Sequence, residues 1–123
     1  MKTNRVALAT SGDRGLEDEI SDVFGRSEKI TIVDLAENEV ANVRTMDNPS
    51  VSYRFGAGPI LVKALVDIGV RIAVGAEFGP GTAELMKDHK ITMVLAKPGT
   101  NVRDAIKSAM AEQKRSDPKA NKP

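Results

Sequence analysis

The second half of the chain alternates helical patterns with short apolar runs, and this alternation constrains the fold more than any other feature. Apolar residues recur at helical spacing within residues 59–68, 82–89 and 101–110. Short apolar runs at 72–74 and 91–95 lie between these patterns. Gly69 is placed as the C′ glycine that ends the first helix, and Asn101 as the N-cap of the third. Successive strands that are joined by a helix usually run parallel in one sheet. This half of the chain therefore predicts parallel strands with helices packed on their faces.

The first half of the chain adds three more predicted strands. Apolar and β-branched residues are concentrated in residues 6–9, 29–35 and 40–46. Glu37 and Asn38 leave only a short turn between the last two runs, which indicates an antiparallel hairpin. The resulting order, β-β-β-α-β-α-β-α, predicts an α/β fold with a mixed sheet.

Length and composition are typical of a small protein with one domain. The 123 residues suit a single hydrophobic core, which we assign to residues 1–112. Residues 113–123 contain no apolar side chain larger than Ala and predict a disordered tail. The formal net charge is +1, so the overall electrostatic field favours no class of partner.

Several functions are disfavoured by what the sequence lacks. There is no Cys and a single histidine, His89, which argues against structural zinc, thiolate-held iron–sulfur clusters and cysteine nucleophiles. Aromatic residues make up only 3%, which argues against a nucleic-acid surface built on stacked rings. No apolar run approaches the roughly 20 residues of a membrane span, and the first apolar run is too short for a secretion signal. We expect a cytoplasmic protein that binds neither nucleic acid nor membrane.

Two motifs of glycine and proline precede the first two predicted helices, at residues 56–59 and 79–81. Glycine lets the backbone approach a ligand closely, and proline fits the first helical turn without losing a hydrogen bond. The free N–H groups and the positive end of the helix dipole attract anions at such a position. Side by side, the two motifs would form a cradle for an anionic ligand. Taken singly, either is explained equally well as an ordinary start of a helix.

Three predicted loops should open on one edge of the sheet. They follow the first, fourth and fifth strands and comprise residues 11–13, 75–81 and 97–100. Ligands of open α/β sheets bind beyond the carboxyl ends of the parallel strands. The position of the 56–58 motif relative to this edge depends on a crossover that the sequence does not fix.

A set of short motifs runs through the whole predicted domain in a defined order. It comprises Gly15-Leu16, Ser21, Phe24-Gly25-Arg26, Val33-Asp34, Gly56-Ala57-Gly58-Pro59 and Gly75 with Gly79-Pro80. Together these motifs resemble the dinitrogenase iron-molybdenum cofactor biosynthesis family, over residues 5–112. The resemblance implies a ribonuclease-H-like, three-layer fold with a five-stranded mixed sheet in the order 3-2-1-4-5, strand 2 antiparallel and helices on both faces. It also implies a non-catalytic carrier or accessory protein that binds an anionic iron–sulfur–molybdenum cofactor or its precursor.

The sequence departs from the family pattern at two places. Val23 stands where family members commonly carry the histidine that is a candidate metal ligand, so no metal ligands are assigned. Glu77 and Phe78 replace a glycine and an aliphatic residue, and an acid is unfavourable in an anion cradle unless it is paired or points away. These departures motivate an alternative, a protein-interaction or regulatory module of the same fold that has lost cofactor binding. The basic tail from Lys114 could then tether an acidic partner.

The predicted ligand site combines the family motifs with the loops at the sheet edge. Its residues are Gly12, Asp13, Phe24, Gly25, Arg26, Gly56, Ala57, Gly58, Gly75, Gly79 and Pro80. The Arg26 guanidinium could bind a carboxylate, phosphate or sulfide-rich anion.

Each candidate has a structural alternative. Arg26 could pair with a nearby acid, Phe24 could belong to the core, and Asp13 could cap a local turn. We expect the acids at 17–19 to form a solvated face, and His89 to be exposed near a helix C-terminus. The assembly state is left open between a monomer and a weak homodimer.

An enzyme is disfavoured by the placement of the acids and the histidine. Two-metal nucleases need several converging carboxylates, whereas Asp34 and Asp67 fall on different predicted elements. Ser11 has no histidine near it in the sequence, so a hydrolase triad is unsupported. Turnover of a small phosphorylated substrate would need a base, for which Glu77 is the only evident candidate.

Overall fold

Five strands and three α-helices follow one another in the predicted order. The computed structural model describes residues 3–22, 24, 27–49 and 57–116. A 3-10 turn, Gly15–Glu17, lies between the first two strands. The elements are β1 (Thr3–Thr10), β2 (Lys29–Ala36), β3 (Glu39–Asp47), α1 (Ala57–Asp67), β4 (Ile72–Gly75), α2 (Pro80–Asp88), β5 (Thr92–Leu95) and α3 (Val102–Ser116).

The strands form one mixed sheet in the order β3-β2-β1-β4-β5, which confirms the predicted topology. Strand β2 is antiparallel to both of its neighbours, whereas β1, β4 and β5 are parallel. Lys29 pairs with Thr10 on one side and with Asp47 on the other, so β1 and β3 end at the same edge. We call this edge, where β1, β3, β4 and β5 all end, the C-terminal edge. The chain that leads into α1 therefore leaves from the same edge as the three predicted loops.

Apolar side chains on the two faces of the sheet form separate cores, because neighbouring residues of a strand point to opposite faces. Val6 and Leu8 of β1 join a core that includes the apolar face of α3. Ala7 and Ala9 join a second core that includes α1 and α2. The protein therefore has three layers, with α3 on one side of the sheet and α1 and α2 on the other.

The helix ends follow local backbone rules. Gly69 has φ of +81°, and the N–H groups of Gly69 and Val70 donate to Val66 and Leu65, which is a Schellman motif. At the start of α3 the side-chain oxygen of Asn101 accepts a hydrogen bond from Arg103 N–H at 2.9 Å. The predicted C′ glycine and N-cap asparagine are thereby confirmed.

Helix α3 is longer than predicted. It continues to Ser116, whereas the sequence analysis placed the end of the domain at 112 and a disordered tail from 113. The extension has a simple reason, because Gln113, Lys114 and Arg115 have high helix propensity and no Gly or Pro interrupts them. The tail prediction for 117–123 lies outside the described residues. In the described part of the chain, no helix is both long and apolar enough to cross a membrane.

Replacing Lys90 by glycine should stabilise the protein. Lys90 follows α2 with φ of +59°, and the N–H groups of Lys90 and Ile91 close a second Schellman motif. A side chain costs about 1–2 kcal/mol in this conformation, and the greater freedom of glycine in the unfolded chain offsets part of the gain. We expect Lys90→Gly to raise the free energy of unfolding by about 0.5–1 kcal/mol in urea titrations. Lys87→Gly, within the last turn of α2, is the matched control and should lower it by about 1 kcal/mol.

Candidate functional site

The N-termini of α1 and α2 lie against each other beside the C-terminal edge. A Cβ atom added to Gly58 would stand 3.0 Å from Thr82 Oγ1 and 3.7 Å from Thr82 N. Gly58 lies in the first turn of α1 and Thr82 in the first turn of α2. The absence of a side chain at Gly58 therefore permits a contact between the two helix starts that any other residue would obstruct. The sequence left this arrangement open, because the two motifs could equally have been two separate, ordinary helix starts.

The first turn of α2 presents several uncommitted donors. Gly79 is the N-cap residue, Pro80 is at the first helical position, and Ala83 N–H closes the first helical hydrogen bond to Gly79 O at 2.8 Å. Open space surrounds the Cβ positions of both Gly79 and Gly81. The N–H groups of Gly81 and Thr82 lie ahead of the first bonded amide of the helix. Within the described part of the chain, the Thr82 hydroxyl also makes no hydrogen bond.

Phe24 is a core residue, which is the structural alternative that the sequence allowed for its side chain. The ring is completely buried and stacks on Phe78, with the ring centroids 5.1 Å apart. Its edge packs on Gly75, where an added Cβ would lie 3.0 Å from Phe24 Cδ2. The backbone N–H of Phe24 donates to Glu77 O at 2.8 Å. The packing of this ring explains why a glycine stands at position 75, and ligand contact there stays a prediction.

Asp18 is the organising residue of the loop after β1, which corrects the prediction of a solvated acidic face. Its side chain is completely buried, and its carboxylate accepts hydrogen bonds from the N–H groups of Gly12, Arg14 and Glu19 at 3.0, 3.1 and 2.8 Å. The Arg14 guanidinium lies 3.4 Å from Asp18 Oδ1. Burial would raise the pKa of Asp18, but the hydrogen bonds from Glu19 and Arg14 and the charge of Arg14 lower it on balance.

Gly12 and Asp13 consequently have different roles from those predicted. The Gly12 amide is already committed to Asp18, so it is not a free donor for a ligand. Asp13 is exposed, and the turn is held by Asp18 instead. The predicted capping function is real, but it belongs to an acid five residues later in the chain.

The loop around Asp18 is bonded to the start of α3. Val102 N–H donates to Asp18 O, and Ile20 N–H donates to Thr100 O, both at 2.9 Å. Glu17 and Arg103 form an ion pair of 2.7 Å. Because α3 covers the opposite face of the sheet from α1 and α2, these contacts hold residues 12–20 on the α3 side. The predicted site is thus divided, with the two helix starts on one side and the loop after β1 on the other.

The remaining predicted site residues lie partly outside the described residues. This applies to Gly25, Arg26, Gly56 and the side chain of Ala57, and to Val23 at the position of the family histidine. Their roles stay predictions. His89 is exposed at the C-cap of α2, as expected, at the far end of that helix from Pro80. Within the described ranges, no three His, Cys, Asp or Glu side chains are grouped closely enough to hold a metal ion.

Thr82 and Asp18 are the two important residues that the sequence analysis missed. Thr82 directly follows Gly79-Pro80-Gly81, so its position in the first helical turn could have drawn attention to its hydroxyl. Asp18 had no such signal, because it is flanked by Glu17 and Glu19, which are both exposed. Only the folded loop distinguishes the buried acid from its neighbours.

Comparisons with known proteins agree with this fold. Residues 4–112 match the model of the family Dinitrogenase iron-molybdenum cofactor. The crystal structure of PH0822 is similar at 30% identity, with a TM-score of 0.72, and covers 88% of this chain and 91% of that protein. The apo form of the orange protein from Desulfovibrio gigas has a TM-score of 0.79 over 89% of each chain, and at 24% identity it shows a shared fold. The uncharacterized protein MJ0580 of Methanocaldococcus jannaschii is 25% identical over 107 residues, which are 87% of this chain and 86% of that protein.

Proposed function

The chain belongs to the dinitrogenase iron-molybdenum cofactor family, and we propose that it is a non-catalytic binding protein for an anionic ligand, such as an iron–sulfur–molybdenum cofactor or its precursor. The ligand lies at the paired N-termini of α1 and α2. The contact between Gly58 and Thr82 is the observation that carries this proposal, because it brings two helix starts together. Each start adds positive dipole potential and unpaired N–H groups to the same place.

The ligand is held by hydrogen bonds and by charge rather than by protein–metal bonds. The N–H groups of Gly81 and Thr82 and the Thr82 hydroxyl donate to its sulfide or oxygen atoms. Arg26 supplies a guanidinium from the segment before β2. The single histidine cannot contribute, because α2 has nine residues and separates His89 from Pro80 by roughly 13 Å.

Thr82→Val tests this site with little change in side-chain volume. We expect the affinity for tetrathiomolybdate, used as a sulfide-rich anionic probe without oxygen, to fall about 5- to 15-fold, since one hydrogen bond to a charged group is lost. Titrations followed by ¹H–¹⁵N NMR should show saturable shifts of the Gly58, Gly79, Gly81 and Thr82 amides in the unmodified protein.

Thr92→Val is the matched control. Thr92 begins β5 and so lies at the end of the strand away from the C-terminal edge, and its substitution should leave the affinity unchanged. If tetrathiomolybdate shifts none of the four amides, or if both variants lose affinity equally, the helix starts are not the binding site.

A second candidate is the protein-interaction or regulatory module of the same fold. It is favoured by Val23 in place of the family histidine and by the lack of a metal-ligating group among the described residues. This candidate predicts that protein purified without oxygen carries neither iron nor molybdenum by elemental analysis. It also predicts that tetrathiomolybdate causes no saturable shift anywhere in the spectrum.

A further inference from the structure

A second concave site lies at the edge of the sheet opposite the C-terminal edge. It is a groove of about 490 Å³, which falls within the size range of small-molecule sites. We call it the Arg71 groove. Its lining comes from the start of β1, the end of β2, β3 and the residues after α1, namely Thr3, Asn4, Arg5, Asp34, Leu35, Ala36, Ala41, Ile68, Gly69 and Arg71. Thr10, at the other end of β1, is about 16 Å from Arg5, so this groove is separate from the helix starts.

Two of its three charged residues neutralise each other. Arg5 Nε donates to Asp34 Oδ1 at 2.6 Å, and Nη2 lies 3.3 Å from Asp34 Oδ2. Arg5 Nη1 donates to the carbonyl of Ile68, near the C-terminus of α1. The Arg5 side chain also holds the pKa of Asp34 below its ordinary value, so the acid stays ionised. This pair forms a rigid wall with no net charge.

Arg71 supplies the remaining charge and is available for binding. Its backbone is fixed on both sides, because Arg71 N–H donates to Arg5 O at 3.0 Å and Arg71 O accepts from Thr92 N–H at 2.9 Å. Its side chain is exposed, and across the described ranges it makes no hydrogen bond or ion pair. The lining residues of the groove therefore carry one net positive charge, on the guanidinium of Arg71. The backbone of Arg71 is held in place by its two hydrogen bonds.

The other wall is apolar. Ala36, Ala41 and Ile68 contribute small or aliphatic side chains, and Gly69 contributes none, whereas the Leu35 side chain is buried in the core beneath α3. From the cavity, the free guanidinium and this apolar wall, we propose that the Arg71 groove binds a small amphipathic monoanion, a carboxylate with a short apolar chain. The guanidinium of Arg71 binds the carboxylate, and the apolar part of the ligand lies along Ala36, Ala41 and Ile68.

The test uses hexanoate as the probe, with acetate and hexylammonium as comparisons, and ¹H–¹⁵N NMR as the readout. Hexanoate should cause saturable shifts of the Asn4, Gly69 and Arg71 amides. The hexanoate concentration at half-saturation should be at least tenfold lower than the acetate concentration at half-saturation. Hexylammonium should cause none. Saturable binding of hexylammonium, or hexanoate shifts without saturation, would overturn the proposal.

Arg71→Gln should weaken hexanoate binding at least tenfold without loss of stability, because the side chain it removes makes no hydrogen bond or ion pair in the part of the chain that the structure describes. Arg103→Gln, an exposed arginine on α3, is the matched control and should bind hexanoate like the unmodified protein. Asp34→Asn should tighten binding, since it removes the competing anion and frees Arg5. Equal affinities for the two arginine variants, or weaker binding by a folded Asp34→Asn protein, would contradict the assigned role of charge. None of these outcomes tests anion binding at the helix starts, so the groove proposal and the proposed function are tested independently of each other.

Discussion

Gly75→Ala should lower the free energy of unfolding by about 2–3 kcal/mol, the largest effect we expect from a single added methyl group. The new Cβ would lie 3.0 Å from Cδ2 and 3.2 Å from Cβ of Phe24, which is tighter than most Cβ contacts in proteins, so the ring would have to shift by a few tenths of an ångström. The ring cannot move aside freely, because it is completely buried and stacked on Phe78. Urea titrations followed by circular dichroism measure the change.

Gly81→Ala is the matched control, because the same methyl group is added in open space. Gly81 lies in the first turn of α2, and beyond its own helical turn no atom of the described residues is within 4 Å of its Cβ position. Alanine is favoured over glycine in a helix by about 0.5–1 kcal/mol, so this variant should be as stable as the unmodified protein or more so. A second check is non-additivity, since Phe24→Leu should cost less in the Gly75→Ala background than alone. Equal effects of the two alanine substitutions would refute the packing explanation of Gly75.

Asp18→Asn should lower the free energy of unfolding by about 2–4 kcal/mol at pH 7, and by less at pH 3. The carboxylate accepts three backbone N–H groups, and an Asn side chain would set its own NH₂ donor against one of them. The pH dependence follows from the lowered pKa of Asp18. A carboxyl group with a lower pKa in the folded state stabilises the protein above its unfolded pKa, about 3.9. That contribution is lost as the pH falls through the folded pKa.

Urea titrations of both proteins at pH 7 and pH 3 measure this difference, and the comparison cancels the similar contribution of Asp34. Asp13→Asn is the control, because Asp13 lies in the same loop but is exposed. It should change the stability by less than about 0.5 kcal/mol at either pH. A difference between Asp18→Asn and the unmodified protein that stayed constant with pH would show that the ionised carboxylate is not what holds the loop.

The fold was largely predictable from the sequence. Apolar spacing predicted all eight main elements in their observed order, and Gly69 and Asn101 marked helix ends that the structure confirms. The family resemblance supplied the strand order, which periodicity could not. The observed sheet confirms that order, and the match of residues 4–112 to the family model confirms the resemblance. The end of the domain differs from the prediction. Helix α3 runs four residues past the predicted end at residue 112, because its last residues favour helix.

The candidate site was only partly predictable. Gly79 and Pro80 do begin α2, and Gly58 does lie in the first turn of α1. Phe24 and Gly75 belong to the same set of motifs, yet Phe24 fills the core and Gly75 admits its ring. Gly12, in the predicted loop after β1, donates its amide to Asp18. A motif identifies residues that cannot easily change, but close packing and ligand contact impose that constraint equally.

The sequence by itself determined the periodicity of each segment, the helix ends and the order of elements, because these depend on interactions between residues a few positions apart. Only the tertiary structure decided that α1 and α2 start beside each other, that Asp18 rather than Asp13 is buried, and that the Arg71 side chain makes no hydrogen bond or ion pair within the described residues. These three facts depend on which distant segments meet across the sheet. The free energy of a buried carboxylate, a close backbone contact or an unpaired cation is set by those neighbours and not by the residue alone.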